Sequence, residues 1–269
     1  MSASAPATRE LAELTGPEAA ATLTADSIVV LPIGSIEHHG DHLPLATDLI
    51  MADVLSSRIV AQAAASGQDV WRLPPLAYTK SDEHHWAPGT FWIGADELLA
   101  TLRSIGRSLA ATPARTLVLF NGHGGNVALL GVALRELRRL YGLRTFAMSV
   151  AVPSGDGDSA GIGGPDEEGL GIHGGWGETS LLMHLRPELV HADRFKRAIP
   201  EGLSSNRLIG FGGAPVQFGW LSDDFGFDGL LGDPTGSTAE VGAGIATDLV
   251  ARSVAGLAEI ATFNPKGTS

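Results

Sequence analysis

Residues able to do chemistry gather in a few short segments. Residues 34–48, GSIEHHGDHLPLATD, carry Glu37, His38, His39, His42 and Asp48; residues 121–126 are NGHGGN; residues 173–180 are HGGWGETS. A fourth stretch, residues 79–90, adds Ser81, His84 and His85. Together these stretches hold all but His184 and His191 of the 9 histidines, which uniform scatter would not produce. Glu37 and His39 stand at i and i+2, so in extended backbone both point to one side and reach one metal cluster. Glycines around His123 let the backbone turn sharply and approach a ligand closely. Glu178 heads the helical pattern ETSLLMHL, as a first-turn charge answering the helix dipole or as a ligand. Each segment alone also reads as a hydrogen-bonded loop or helix start. Taken together they offer two Glu, one Asp and at least two His, donors suited to Zn²⁺, Mn²⁺ or Fe²⁺. Three carboxylates exceed what a lone structural zinc needs. An Asp bridging two ions, with a water made nucleophilic between them, is the economical arrangement.

Composition removes most rival chemistries. The 269-residue chain has no cysteine, which excludes disulfides, zinc fingers, cysteine proteases and iron–sulfur sites. Lys plus Arg number 18 against 30 Asp plus Glu, a formal net charge of −12. That charge argues against nucleic acid and anionic membrane as partners. No G-x-S-x-G marks a serine hydrolase, and NGHGGN lacks both the Lys-Ser/Thr of a phosphate loop and dinucleotide-binding spacing. Residues 1–8 show no secretory pattern, and apolar stretches such as residues 27–36 are too short for a bilayer, so a cytoplasmic location is expected.

The elements that must position these groups alternate. Strands are predicted over residues 27–33, 71–76, 116–120 and 143–150, with helices over 17–23, 49–65, 96–111, 126–141 and 239–261. Asn126 is a candidate N-cap for its helix. Short apolar strands alternating with helices predict an α/β fold with a mainly parallel sheet, in one domain over residues 1–269. In such sheets ligands bind at the carboxyl ends of the strands, where His39, Asp48 and His123 fall. Residues 203–236, Gly-rich and carrying Phe211, Phe218, Trp220, Phe225 and Phe227, predict a lid or a subunit contact. Trp86, Trp176 and Trp220 could line a pocket, although large aromatics are more often core. His184 and His191 read as helix-end histidines, and Asp223, Asp224 and Asp228 as a solvated acidic loop.

GSIEHHGDHLPLATD, NGHGGN and HGGWGETS, in this order, resemble the signature segments of the creatininase family, and PPLAYTKSDEHHWAPGTF (residues 74–91) its fourth. The similarity runs from about residue 14 to residue 260. It implies a three-layer α/β/α sandwich, two divalent ions per chain (zinc first, manganese or iron admissible), hydrolysis of a carbon–nitrogen amide-type bond and a homohexamer. Carried over, Glu37, Asp48 and His123 hold one ion, and His39, the bridging Asp48 and Glu178 the other. His173 stands as the acid/base histidine; Ser81, His84, Gly124 and Trp176 fall along the substrate pocket. Creatinine-hydrolysing members carry Tyr-Glu after the metal histidine, where this chain has Gly124 and Gly125, and Trp-Asp before the acid/base histidine, where it has residues 169–172, GLGI. Creatinine is therefore not the expected substrate. The expected substrate is a small or cyclic amide. NGHGGN with ETSLLMHL, and LLGDPTGSTAE (residues 230–240), are also similar to the mycofactocin-precursor peptidase branch, which trims a short C-terminal piece from a peptide. A metal-dependent isomerase or lyase, and an inactive metal-binding scaffold, are the remaining readings.

Overall fold

A computed structural model describes residues 8–153, 163–211, 213–226 and 228–264. Part of the Gly-rich stretch before His173, and Phe227, lie outside the described residues. The β-branched run at β1 (Ile28–Ile33) forms one of the two inner strands of a parallel sheet with β2 (Val70–Arg72), β3 (Thr116–Asn121) and β4 (Arg144–Ser149), ordered β2-β1-β3-β4. Ile28 pairs with Thr116 and Ile33 with Asn121, so β1 and β3 end level with each other. Every residue of these two strands is buried, as expected of a sheet covered on both faces.

Alternation then sorts the side chains into two cores. Ile28, Val30, Val118 and Phe120 face α2 (Thr47–Ala65), α5 (Trp176–Leu185) and α6 (Ala239–Thr262) through Met51, Leu55, Ile59, Leu181, Ile245 and Leu249. Val29, Leu31, Ile33, Leu117 and Leu119 face α3 (Ala95–Ala110) and α4 (Val127–Tyr141) through Leu98, Leu102, Leu130 and Leu137. The three-layer α/β/α sandwich is therefore present. The short α1 (Gly16–Thr22) precedes it, held by a capping box between Thr15 and Glu18.

Three expectations change. The second strand stops at Arg72 instead of Leu76, because Pro74 and Pro75 have no N–H to give the ladder. Pro32 stands opposite that break; Leu76 rejoins just beyond it, donating to the Pro32 carbonyl at 3.0 Å. Asn126 does not cap α4. It already has helical backbone, and its side-chain amide is committed to Thr79 Oγ1 and Asn121 Oδ1, both at 3.2 Å. Finally, α6 is long and apolar enough to cross a bilayer by length and composition, contrary to the reading of the apolar stretches. Here its Ile245, Leu249, Leu257 and Ile260 are buried in the core shared with α2 and α5.

Candidate metal centre

Three loops meet at the carboxyl ends of β1 and β3. The first leaves β1 at Gly34, whose carbonyl accepts Thr79 Oγ1, and closes where Glu37 N–H donates to the Leu45 carbonyl at 2.9 Å. It delivers Glu37 and His39 and ends with Asp48 in the first turn of α2. The second follows β3, where Asn121 Nδ2 donates to the His123 carbonyl at 2.6 Å. The third carries His173, clamped to Leu231 by two backbone bonds of 3.0 Å, and Glu178 in the first turn of α5. Leu230 wedges between the first and third loops. Gly40 and Gly174, both at φ +67°, face it so closely that a Cβ at either would collide with its side chain.

The donor atoms converge. His123 Nδ1 lies 3.1 Å from Glu37 Oε2 and 3.0 Å from Asp48 Oδ2. His39 Nε2 lies 3.4 Å from Asp48 Oδ1 and 3.9 Å from both Glu37 Oε1 and Glu178 Oε1. Glu37–Asp48–His123 and His39–Asp48–Glu178 are thus two triads sharing Asp48, each able to surround an ion; Glu37–His39–His173 is a third grouping of metal-binding size. Tautomers agree with this geometry. His39 Nδ1–H donates to the Glu37 carbonyl at 3.1 Å and His123 Nε2–H to the Lys80 carbonyl at 2.9 Å, leaving His39 Nε2 and His123 Nδ1 as lone pairs toward the cluster.

Whether these residues fit metal ions can be decided from their unmet needs. Glu37 Oε2, His39 Nε2 and Asp48 Oδ2 are buried without a hydrogen-bond partner among the described residues, although they sit close together. Lone pairs aimed at a common point instead of at donors are what a cation requires. Three carboxylates crowded out of water also need positive charge. Without metal, protons on those same lone pairs are the alternative source. Burial, against the pull of His123, raises Glu37 to about 7; burial likewise raises Glu178. Burial opposes charge on His39, but Asp48 and then Glu178 and Glu37 outweigh it and hold the imidazolium up to about 10. The same contest, won by Glu37 and Asp48, raises His123. Two divalent ions would replace these protons with the charge the cluster lacks.

His173 differs. Its Nε2–H donates to the His38 carbonyl at 2.8 Å, so Nδ1 faces Glu37 Oε1, 3.8 Å away. Its ring lies between those of His39 and His84, at 4.4 and 4.3 Å. Burial first, then the charge of His39, holds it well below the ordinary histidine range, which favours the neutral ring. The buried Ser81 Oγ and His84 Nδ1 also lack partners among the described residues, and His84 Nε2 is 3.5 Å from Glu37 Oε1. Gly124 is exposed beside His123, with open space where a Cβ would stand. Trp176 is 1% exposed, and its indole N–H donates to the Gly236 carbonyl. The predicted lid aromatics pack on one another, Phe211 against Phe218, Trp220 and Phe225 at 5.6–5.7 Å. Sequence reasoning missed Glu83, whose Oε1 is 3.2 Å from His123 Nε2. It also left His42 without a role, although His42 Nε2 bonds Thr179 Oγ1 at 3.0 Å beside Glu178.

Comparison with known proteins supplies the family. The family model described as Creatininase, creatinine amidohydrolase, matches residues 12–257. A mycofactocin precursor peptide peptidase of Mycobacterium ulcerans (strain Agy99) is 36% identical over 231 residues, covering 82% of this chain and 81% of that protein. A creatinine amidohydrolase of Pseudomonas putida is 35% identical over 193 residues, covering 68% of this chain and 74% of its own. A solved mutant creatininase of Zn-Zn type superposes with a TM-score of 0.69 at 27% identity, covering 94% of this chain and 97% of that one. The chain belongs to the creatininase family of metal-dependent amidohydrolases, which hydrolyse carbon–nitrogen amide bonds.

Proposed function

We propose that this protein is a dinuclear amidohydrolase that cleaves an amide bond in a short precursor peptide. The observation carrying the dinuclear part is the pair of largely buried triads sharing Asp48, three of whose polar atoms have no hydrogen-bond partner among the described residues. Two support the peptide part: the peptidase relative of M. ulcerans aligns over most of both chains, and residues 124 and 125 put no side chain over His123. A small or cyclic amide, as the P. putida relative's name states for that protein, is the second reading. Zinc is the first assignment for the ions, with manganese or iron admitted by the same donors. A cytoplasmic homo-oligomer, hexameric as the family resemblance implies, completes the proposal.

When bound, the ions supply Lewis acidity: they polarise a substrate carbonyl and bring the pKa of water toward neutrality. The chain's own residues do the rest. Gly174 N–H, donating to Glu178 Oε2 at 2.7 Å, fixes that carboxylate, and His39 is fixed by the Glu37 carbonyl. His173, neutral and with Nδ1 open toward the cluster, accepts the proton of the attacking water and returns it to the departing nitrogen. Its Nε2–H stays on the His38 carbonyl throughout, so the ring does not turn between the two transfers. Ser81 Oγ and His84 Nδ1, unpaired among the described residues, are assigned to orient the substrate.

Elemental mass spectrometry of untagged protein tests the centre. Two ions per chain are expected, lost or weakened in Asp48→Ala. Cleavage of a synthetic precursor-type peptide in H₂¹⁸O, beside creatinine and simple lactams, tests the reaction. Label in the new carboxylate is expected from the peptide. Turnover without label would establish an isomerase or lyase, and the absence of metal an inactive scaffold.

A further inference from the structure

Glu83 takes no part in the two triads, yet it is 7% exposed and points at one of their members. Its Oε1 lies 3.2 Å from His123 Nε2, on the edge of the ring opposite Nδ1, which faces Glu37 and Asp48. The carboxylate is not there to serve Lys80, because Lys80 Nζ has Asp82 at 2.7 Å and meets Glu83 only at 3.4 Å. Room for it exists because residue 125 is glycine. A Cβ at that position would collide with Glu83 Oε1 and stand 2.5 Å from His123 Nε2. The backbone is braced as well: the Glu83 carbonyl accepts Ser222 Oγ at 3.0 Å, and Ser222 Oγ in turn accepts the Trp86 indole N–H at 2.7 Å. The long Gly-rich excursion thus reaches under the loop that presents Glu83.

We propose that Glu83 is a positioning residue of the metal centre, sharing the Nε2–H of His123 with the Lys80 carbonyl and so holding the Nδ1 lone pair on the metal side. A carboxylate behind a ligating imidazole fixes its tautomer and orientation and makes the ligating nitrogen more basic. Of the two ions, only the one held by His123 should feel its loss. This inference rests on the dinuclear reading.

The test is stepwise zinc affinity, by competition with a chromophoric chelator, in wild type, Glu83→Gln, Glu83→Ala and His123→Ala. The last variant identifies which binding step belongs to His123. Glu83→Ala should weaken that step about 10- to 100-fold and leave the other unchanged, since outer partners of metal ligands carry effects of that size. Glu83→Gln keeps an acceptor oxygen without the charge and should lose less. Cobalt substitution adds a readout independent of turnover: the absorption bands of the His123-side ion should shift in Glu83→Ala. Unchanged affinity in both steps overturns the proposal, as does a uniform loss accompanied by a fallen melting temperature of the metal-free protein. Should Glu83→Ala fail to fold, Glu83→Gln decides, with a selective loss supporting the proposal and wild-type affinity refuting it. Wild-type protein that takes up fewer than two zinc ions would overturn the dinuclear reading itself, an outcome distinct from the others.

Discussion

At the scale of single residues, what each histidine faces decides its chemistry. His39 and His123 look into carboxylates, which raise both above the ordinary histidine range; His173 looks past Glu37 Oε1 toward two other rings, and burial with the charge of His39 holds it below that range. A neutral base beside the cluster can take a proton from water, whereas an imidazolium there could not. His173→Ala should therefore lower kcat by about 10²–10⁴-fold, the usual worth of general acid–base catalysis, with zinc content at the wild-type level. Loss of zinc in that variant would place His173 in the third grouping, with Glu37 and His39, and remove its acid/base role. The five candidate ligands were legible because each lies in a His- or Glu-bearing segment next to a strand end or helix start. Glu83 was not. Between Asp82 and His84 it resembles a surface charge run, and its partner His123 is 40 positions away in sequence.

At the scale of elements, His42 ties two loops to α5. Its Nε2–H donates to Thr179 Oγ1, and that hydroxyl leans on the Gly174 carbonyl, whose own amide N–H holds Glu178. Burial first, then the charge of His39, outweighs Asp41 and Asp228 and pushes His42 down to about 4. The folded state then binds fewer protons than the unfolded one between that value and about 6.5. Stability from His42 is full above pH 6.5 and drains as pH falls toward 4. In metal-free protein, wild type should lose on the order of 2 kcal/mol more than His42→Gln between pH 7.5 and pH 5. Urea unfolding at the two pH values checks this, and equal losses in both proteins would show that His42 is not the sensor. The element order itself was readable because β1 and β3 are unbroken apolar runs and α3 and α4 show clean helical periodicity. What escaped were features decided by distant partners: the end of β2, set by prolines facing Pro32, and the fate of the Asn126 amide, claimed by Thr79 and Asn121.

At the scale of the molecule, a chain of net charge −12 has placed three of its carboxylates within reach of one another at the carboxyl ends of β1 and β3. That arrangement opposes folding unless cations join it, so metal loading and global stability must be linked. A ligand that binds only the folded state adds RT ln(1 + [L]/Kd), about 2.7 kcal/mol per ion at a hundredfold excess over Kd. For a chain of this size that corresponds to roughly 5–10 °C in melting temperature for each ion. Chelated protein should therefore melt lower than protein reloaded with zinc, and the shift should grow with the logarithm of free zinc. The centre sits where the sheet meets one helical layer: Asp48 opens α2, Glu178 opens α5, and Glu37 and His123 follow β1 and β3. Zinc should accordingly protect amides in all four elements from hydrogen exchange, instead of ordering one loop alone. Asp48→Asn, which removes the carboxylate common to both triads, should abolish both the melting shift and the protection while leaving the metal-free protein folded. A shift of wild-type size in that variant would mean that zinc binds elsewhere on the acidic surface and that the triads are not its site.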